Sequence, residues 1–197
     1  MIKILLLSLL MIKIVQFSIE EIFKIEVYKK IIYFILPIVI LLFYVKLGFN
    51  EDFLRYSLLA CFLLVISIID YYTMYIYDIT IISGIIIQGF ILLIKKDIIM
   101  NHILGLIFGF IIPYILVKLT KGIGSGDIGV YALCCFCVGI NRCLFLIPMS
   151  FIFGSIYGVY LLVIKKKSRK SYIPFAPCIF LATVFLIVSK PNLLINI

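Results

Sequence analysis

Two aspartates stand where a membrane-embedded chain has reason to carry none. Asp70 ends the apolar stretch Ile66-Ser67-Ile68-Ile69-Asp70, and Asp127 closes Gly122-Ile123-Gly124-Ser125-Gly126-Asp127. An aspartate at membrane depth costs about 2.5–3.5 kcal/mol on insertion scales, so its default reading is functional. Two of them at the ends of different apolar runs point to a carboxylate dyad. One carboxylate, ionised, takes a proton from water. The other, protonated, polarises a peptide carbonyl and then donates to the leaving amine. Like charges held close together do not both ionise, and a low dielectric sharpens that preference. Such a pair titrates as a unit. This is aspartic peptidase chemistry, and it calls for no metal and no cofactor.

The neighbouring residues suit that chemistry. Gly122, Gly124 and Gly126 alternate just before Asp127. Glycine permits tight turns and close approach of another backbone. Irregular backbone at membrane depth is tolerated where protein or a water-filled cavity covers it. The string is not a nucleotide loop, because no strand precedes it and no Lys-Ser/Thr pair follows. A plain polar connection between helices is its bland alternative. Asp78, eight residues after Asp70, opens the next apolar run. It is expected to cap that helix, with orientation of a basic substrate as the other reading.

The chain that must position these residues is 65% apolar over 197 residues. A soluble domain of this size cannot hide that much apolar surface, so the class is an all-α, polytopic membrane helix bundle. The net charge of +9 does not indicate nucleic-acid binding. Its cations cluster between apolar runs, above all at Lys165-Lys166-Lys167-Ser168-Arg169-Lys170, as a topology signal does. The six cysteines, Cys61, Cys134, Cys135, Cys137, Cys143 and Cys178, lie in or beside apolar segments. Buried small thiols are expected. One C-x-x-C pair, Cys134 and Cys137, without a second pair or a nearby histidine, is too little for structural zinc.

About eight transmembrane helices are expected, at roughly 4–17, 31–47, 53–73, 79–94, 103–119, 128–138, 144–164 and 174–188. The first is expected to be a retained helix, since Lys13 interrupts it and no small-x-small cleavage site follows. The stretch 18–30 reads as an interfacial helix or a helical connection. With the N-terminus outside, the inner loops hold ten cations and the outer segments seven. This orientation puts Asp70 and Asp127 on the cytoplasmic face. The chain reads as one membrane domain, with N-terminal helices over residues 1–52 and a catalytic core over 53–190.

The ordered motifs resemble those of the type IV prepilin peptidases, membrane aspartic peptidases of the Gly-x-Gly-Asp type. The resemblance rests on Ile69-Asp70 followed by a polar-aromatic stretch to Asp78, on Gly122 to Asp127, and on Ile173-Pro174-Phe175-Ala176-Pro177 at the last helix. It implies that Asp70 and Asp127 are the catalytic pair, and it marks Pro174, Phe175 and Pro177 as accessory positions. It implies prepilin or pseudopilin substrates, each with a short basic leader, cut at the cytoplasmic face of the lipid bilayer. Asp78, Lys121 and the 165–170 cluster are candidate contacts for them. The chain departs from the family pattern at Tyr77, where proline is usual, at Gly129, where lysine is usual, and at Ala176, where glycine is usual. The cysteine-rich insert linked to zinc and N-methylation in many members has no counterpart in the first connection. Peptidase activity without methyl transfer is therefore expected.

Three other readings compete. A presenilin-like protease would carry Pro-Ala-Leu late in the chain, where Pro174-Phe175-Ala176-Pro177 stands. A proton- or cation-coupled transporter would place carboxylates near the bilayer midplane in related halves. A structural subunit gives no reason for two such carboxylates.

Overall fold

The computed structural model describes residues 2–23, 29–95, 99–120, 124–166 and 173–189. Eight α-helices are present among them. They are α1 (Ile2–Phe17), α2 (Lys29–Leu47), α3 (Glu51–Thr73), α4 (Asp78–Lys95), α5 (Ile99–Thr120), α6 (Ser125–Val138), α7 (Ile140–Val163) and α8 (Ala176–Ser189). The all-helical expectation is met. The ends differ from the hydropathy boundaries because capping, not apolarity, sets them. Asn50 extends α3 upstream, its side-chain oxygen accepting from the Phe53 N–H at 2.8 Å. Residues Ser18–Ile22 prolong α1 as one wide π-type turn, with Ile19 fully buried, so this part of the 18–30 stretch packs inward. Residues 24–28 of that stretch lie outside the described segments.

Three helices, α3, α5 and α7, are long and apolar enough to cross a membrane. Shorter apolar helices occupy Ile32–Leu47, Asp78–Ile94, Ser125–Val138 and Ala176–Ser189. Large apolar side chains such as Phe34, Val45, Ile86, Phe90, Phe110 and Ile156 are exposed. Exposure on this scale suits lipid and not water, so the architecture is a multi-pass membrane bundle.

The bundle is built around α3. Of its membrane-length window 78% is buried, against 17% for α5 and 22% for α7. It packs against α1, α2, α4, α6 and α8. The second buried element is α6, enclosed by α3, α4, α5, α7 and α8. With 14 residues α6 is about 21 Å long, too short to span about 30 Å. Its C-terminal end, at Val138 and Gly139, is buried under its neighbours, which removes the cost of irregular backbone there.

The closest packing is between α5 and α6. A methyl group at Gly109 would lie 2.8 Å from the Tyr131 carbonyl oxygen, and one at Gly105 would run into the Cys135 carbonyl. Gly105 and Gly109 are four apart, so both fall on one face of α5 and let two backbones touch. This Gly-x-x-x-Gly signal is legible in the sequence and was not used to place α5 beside α6.

One expectation is corrected. Four cysteines are buried free thiols, Cys61, Cys134, Cys137 and Cys178, but Cys135 and Cys143 form a disulfide. The reason is the turn between α6 and α7. Gly139 takes φ +81°, a conformation that side chains oppose, and folds the chain back within one residue. That fold brings the two Cα atoms to 4.9 Å, within disulfide range.

Candidate active site

Asp70 lies in the last turn of α3 and is buried. Its backbone oxygen accepts from the Met74 N–H at 2.9 Å, which closes the helix. Met74 then takes a left-handed conformation, φ 54°, and turns the chain toward α4. Left-handed backbone costs a non-glycine residue roughly 1–2 kcal/mol. The turn leaves Tyr71, Tyr72, Tyr75 and Tyr77 exposed but tucks Ile76 inside.

The buried carboxylate of Asp70 finds its donor across the bundle. Its Oδ2 accepts from the Ala176 N–H at 3.0 Å, and the Phe175 N–H is directed at the same group. Ala176 is the first residue of α8, so a helix N-terminus with free N–H groups faces the carboxylate. The motif Pro174-Phe175-Ala176-Pro177 explains why it points there. Pro177 sits in the first turn, where its missing N–H costs nothing. The Phe175 ring lodges between Tyr131 of α6 and Phe151 of α7, with centroids 6.5 and 5.6 Å away. Gly154 on α7 makes room for it, since a methyl there would lie 2.6 Å from the ring. Pro174 is buried beside this anchor. The helix begins at Ala176 and not at the expected 174, because Pro174 and Phe175 form the bend that precedes it.

Asp127 is the third residue of α6 and is also buried. Gly124 is extended and lies just outside the helix, while Gly126 lies inside it. The helix starts at Ser125, three residues before the hydropathy boundary, because the Asp127 carboxylate caps its own N-terminus. Asp127 Oδ2 accepts from the Gly124 N–H at 3.2 Å. A methyl at Gly124 would lie 3.2 Å from that same oxygen, so glycine suits the site. Asp127 Oδ1 is buried with no hydrogen-bond partner among the described residues. Gly126 faces the α3–α4 turn, where a methyl would lie 3.0 Å from Ile76 Cβ. Gly122 lies outside the described residues, as do Lys121, Lys167, Arg169 and Lys170.

The two carboxylates therefore come from separate helices and sit within each other's electrostatic field. Each has one oxygen held by a backbone N–H. Cys178, one turn into α8, is close enough for both charges to act on it. A pair of buried carboxylates with one orphaned oxygen is suited to hold a proton and a water between them. Asp78 does not join the pair. It is exposed in the first turn of α4, where a negative charge complements the helix dipole.

Sequence reasoning passed over Ile76, which ties the turn after Asp70 to the glycine before Asp127. Its signal was slight: one aliphatic residue among tyrosines. Gly129 also acquires a physical reason. A methyl there would lie 2.5 Å from the Ile81 Cδ1 of α4, so any side chain at this crossing requires Ile81 to turn aside.

Comparison with known proteins adds one match. The model of the type IV leader peptidase family covers residues 57–159. That stretch contains Asp70, Asp78, Gly124, Gly126 and Asp127, and stops short of the Pro174–Pro177 bend. Searches of curated proteins and of solved structures found no match. The matched stretch is more than half of the chain, it holds both buried carboxylates, and the chain belongs to the type IV leader peptidase family.

Proposed function

We propose that this chain is a membrane aspartic endopeptidase whose Asp70/Asp127 dyad removes the short basic leader of type IV prepilins or pseudopilins at the cytoplasmic membrane face. The observation that carries the reading is a pair of buried carboxylates on α3 and α6, near enough for Asp70 to act electrostatically on Asp127 and each tethered by a backbone N–H. Water attacks the scissile carbonyl as the ionised carboxylate takes its proton. The protonated carboxylate gives its proton to the carbonyl oxygen, forming a tetrahedral diol. Collapse of the diol returns a proton to the amide nitrogen, and the amine leaves. The N–H groups of Gly124 and Ala176 fix the two carboxylates so that little reorganisation accompanies these steps.

In this reading residues 53–190 form the catalytic core and residues 1–52 support it. The support is direct. The rings of Phe23, after the π turn, and Tyr77, before α4, are 5.0 Å apart beside the catalytic end. Methyl transfer forms no part of the proposal.

The test is the identity of the cut. Membranes containing the chain are incubated with a prepilin, and the product is read by mass spectrometry. The expected product has lost its basic leader at one peptide bond and begins with the apolar helix. An intact prepilin, or a cut inside that helix, would count against leader-peptidase function.

A further inference from the structure

We infer that the α6–α7 turn is an extracytoplasmic corner, locked by oxidation of Cys135 and Cys143 before α5 closes over it. The pair lies at the far end of α6 from Asp127, eight residues or about 12 Å of helix away. Gly139 reverses the chain between the two cysteines, and the Cys143 N–H donates to the Gly139 carbonyl at 3.0 Å. Neither cysteine has measurable exposure. The cover is α5. A methyl at Gly109 would lie 2.9 Å from Cys135 Sγ, the Asn101 side chain accepts from the Ile140 N–H at 3.2 Å, and His102 Nδ1 bonds the Phe136 carbonyl at 2.8 Å.

Two consequences follow. A thiol pair in the cytoplasm stays reduced, so a disulfide here places this corner on the oxidising side. The dyad end then faces the cytoplasm, the side that the lysine and arginine distribution indicates independently. Second, no exchange partner reaches sulfurs sealed under α5, so oxidation comes before α5 docks. The partner is an exported thiol oxidase carrying a disulfide. One cysteine thiolate attacks that disulfide to give a mixed disulfide, and the second cysteine thiolate displaces the partner. The chain loses two protons and two electrons, and the partner's disulfide becomes two thiols. The selection of Cys135 follows from its surroundings. Cys134 is engaged by Thr183 of α8 and Cys137 by Gln88 of α4, while Cys135 faces α5 and the turn.

The inference does not depend on the dyad being catalytic. The experiment counts thiols on the full-length chain, acid-trapped in whole cells, denatured, and reacted with a maleimide of known mass. The cells either contain or lack an exported thiol oxidase. Four reactive thiols are expected with the oxidase, rising to six after reduction, and six without it. Six in both strains before reduction would overturn the disulfide. Four in both strains would overturn its extracytoplasmic origin. Cys143→Ser should expose five thiols with or without reductant, and the wild-type count decides the matter even if that variant fails to accumulate.

Discussion

Asp70 and Asp127 are only as good as the atoms that aim them. Gly126 is the most sensitive of these, because a side chain there meets Ile76 Cβ, which belongs to a turn and not to the end of a flexible chain. Gly126→Ala is expected to lower leader cleavage about tenfold, since a displacement near 1 Å in a reacting group costs up to about a hundredfold. Ile76→Gly in the same chain, which removes that Cβ, should restore part of it. Processing rates of the single and double variants in membranes check this, and a double variant as slow as Gly126→Ala would break the link between Ile76 and Asp127. Phe175 poses the matching test for Asp70. Phe175→Ala removes a half-buried ring that sets the Ala176 N–H and should cost about 2–3 kcal/mol of stability with a larger loss of cleavage. Phe175→Leu should keep most of both, as read by thermal unfolding in detergent and by cleavage rate.

At the scale of elements, the sequence showed the helices better than their partners. Apolar runs of the right length revealed eight helices, because lipid solvation is a local demand on each segment. The glycines before Asp127 were visible, but their role as a helix start was not. That role depends on the Asp127 carboxylate turning back onto Gly124, and hydropathy does not register it. The disulfide was hidden for a similar reason. Six cysteines in apolar runs look alike until Gly139 turns α7 back along α6. The α5–α6 contact makes its own prediction. Gly109→Leu would drive a branched side chain into Tyr131 and Cys135, and overpacking of this kind costs roughly 1–3 kcal/mol. A fall in the unfolding temperature is expected, and an unchanged one would show that α5 does not hold α6 as described.

At the scale of the whole molecule, a central α3 and a short, enclosed α6 bring their carboxylates together at one end of a bundle whose other end carries the disulfide. The orientation of that axis can be read without any peptidase assay. Asp78 and Asn141 are exposed at opposite ends of the bundle, in the first turns of α4 and α7. With Asp78→Cys, a membrane-impermeant maleimide should label inside-out vesicles and not intact cells. Asn141→Cys should show the reverse. Labelling of Asp78→Cys in intact cells would invert the topology and place the dyad outside.

The central claim is that the meeting of Asp70 and Asp127 is the catalytic event. Its most direct test is prepilin processing in membranes by the wild type, Asp70→Asn and Asp127→Asn, with each protein's abundance measured alongside. Asparagine keeps the size and hydrogen-bonding shape of each side chain while removing its proton chemistry. The account expects the wild type to shorten the prepilin and both variants, at normal abundance, to leave it intact. Continued cleavage by either variant would contradict the two-aspartate mechanism.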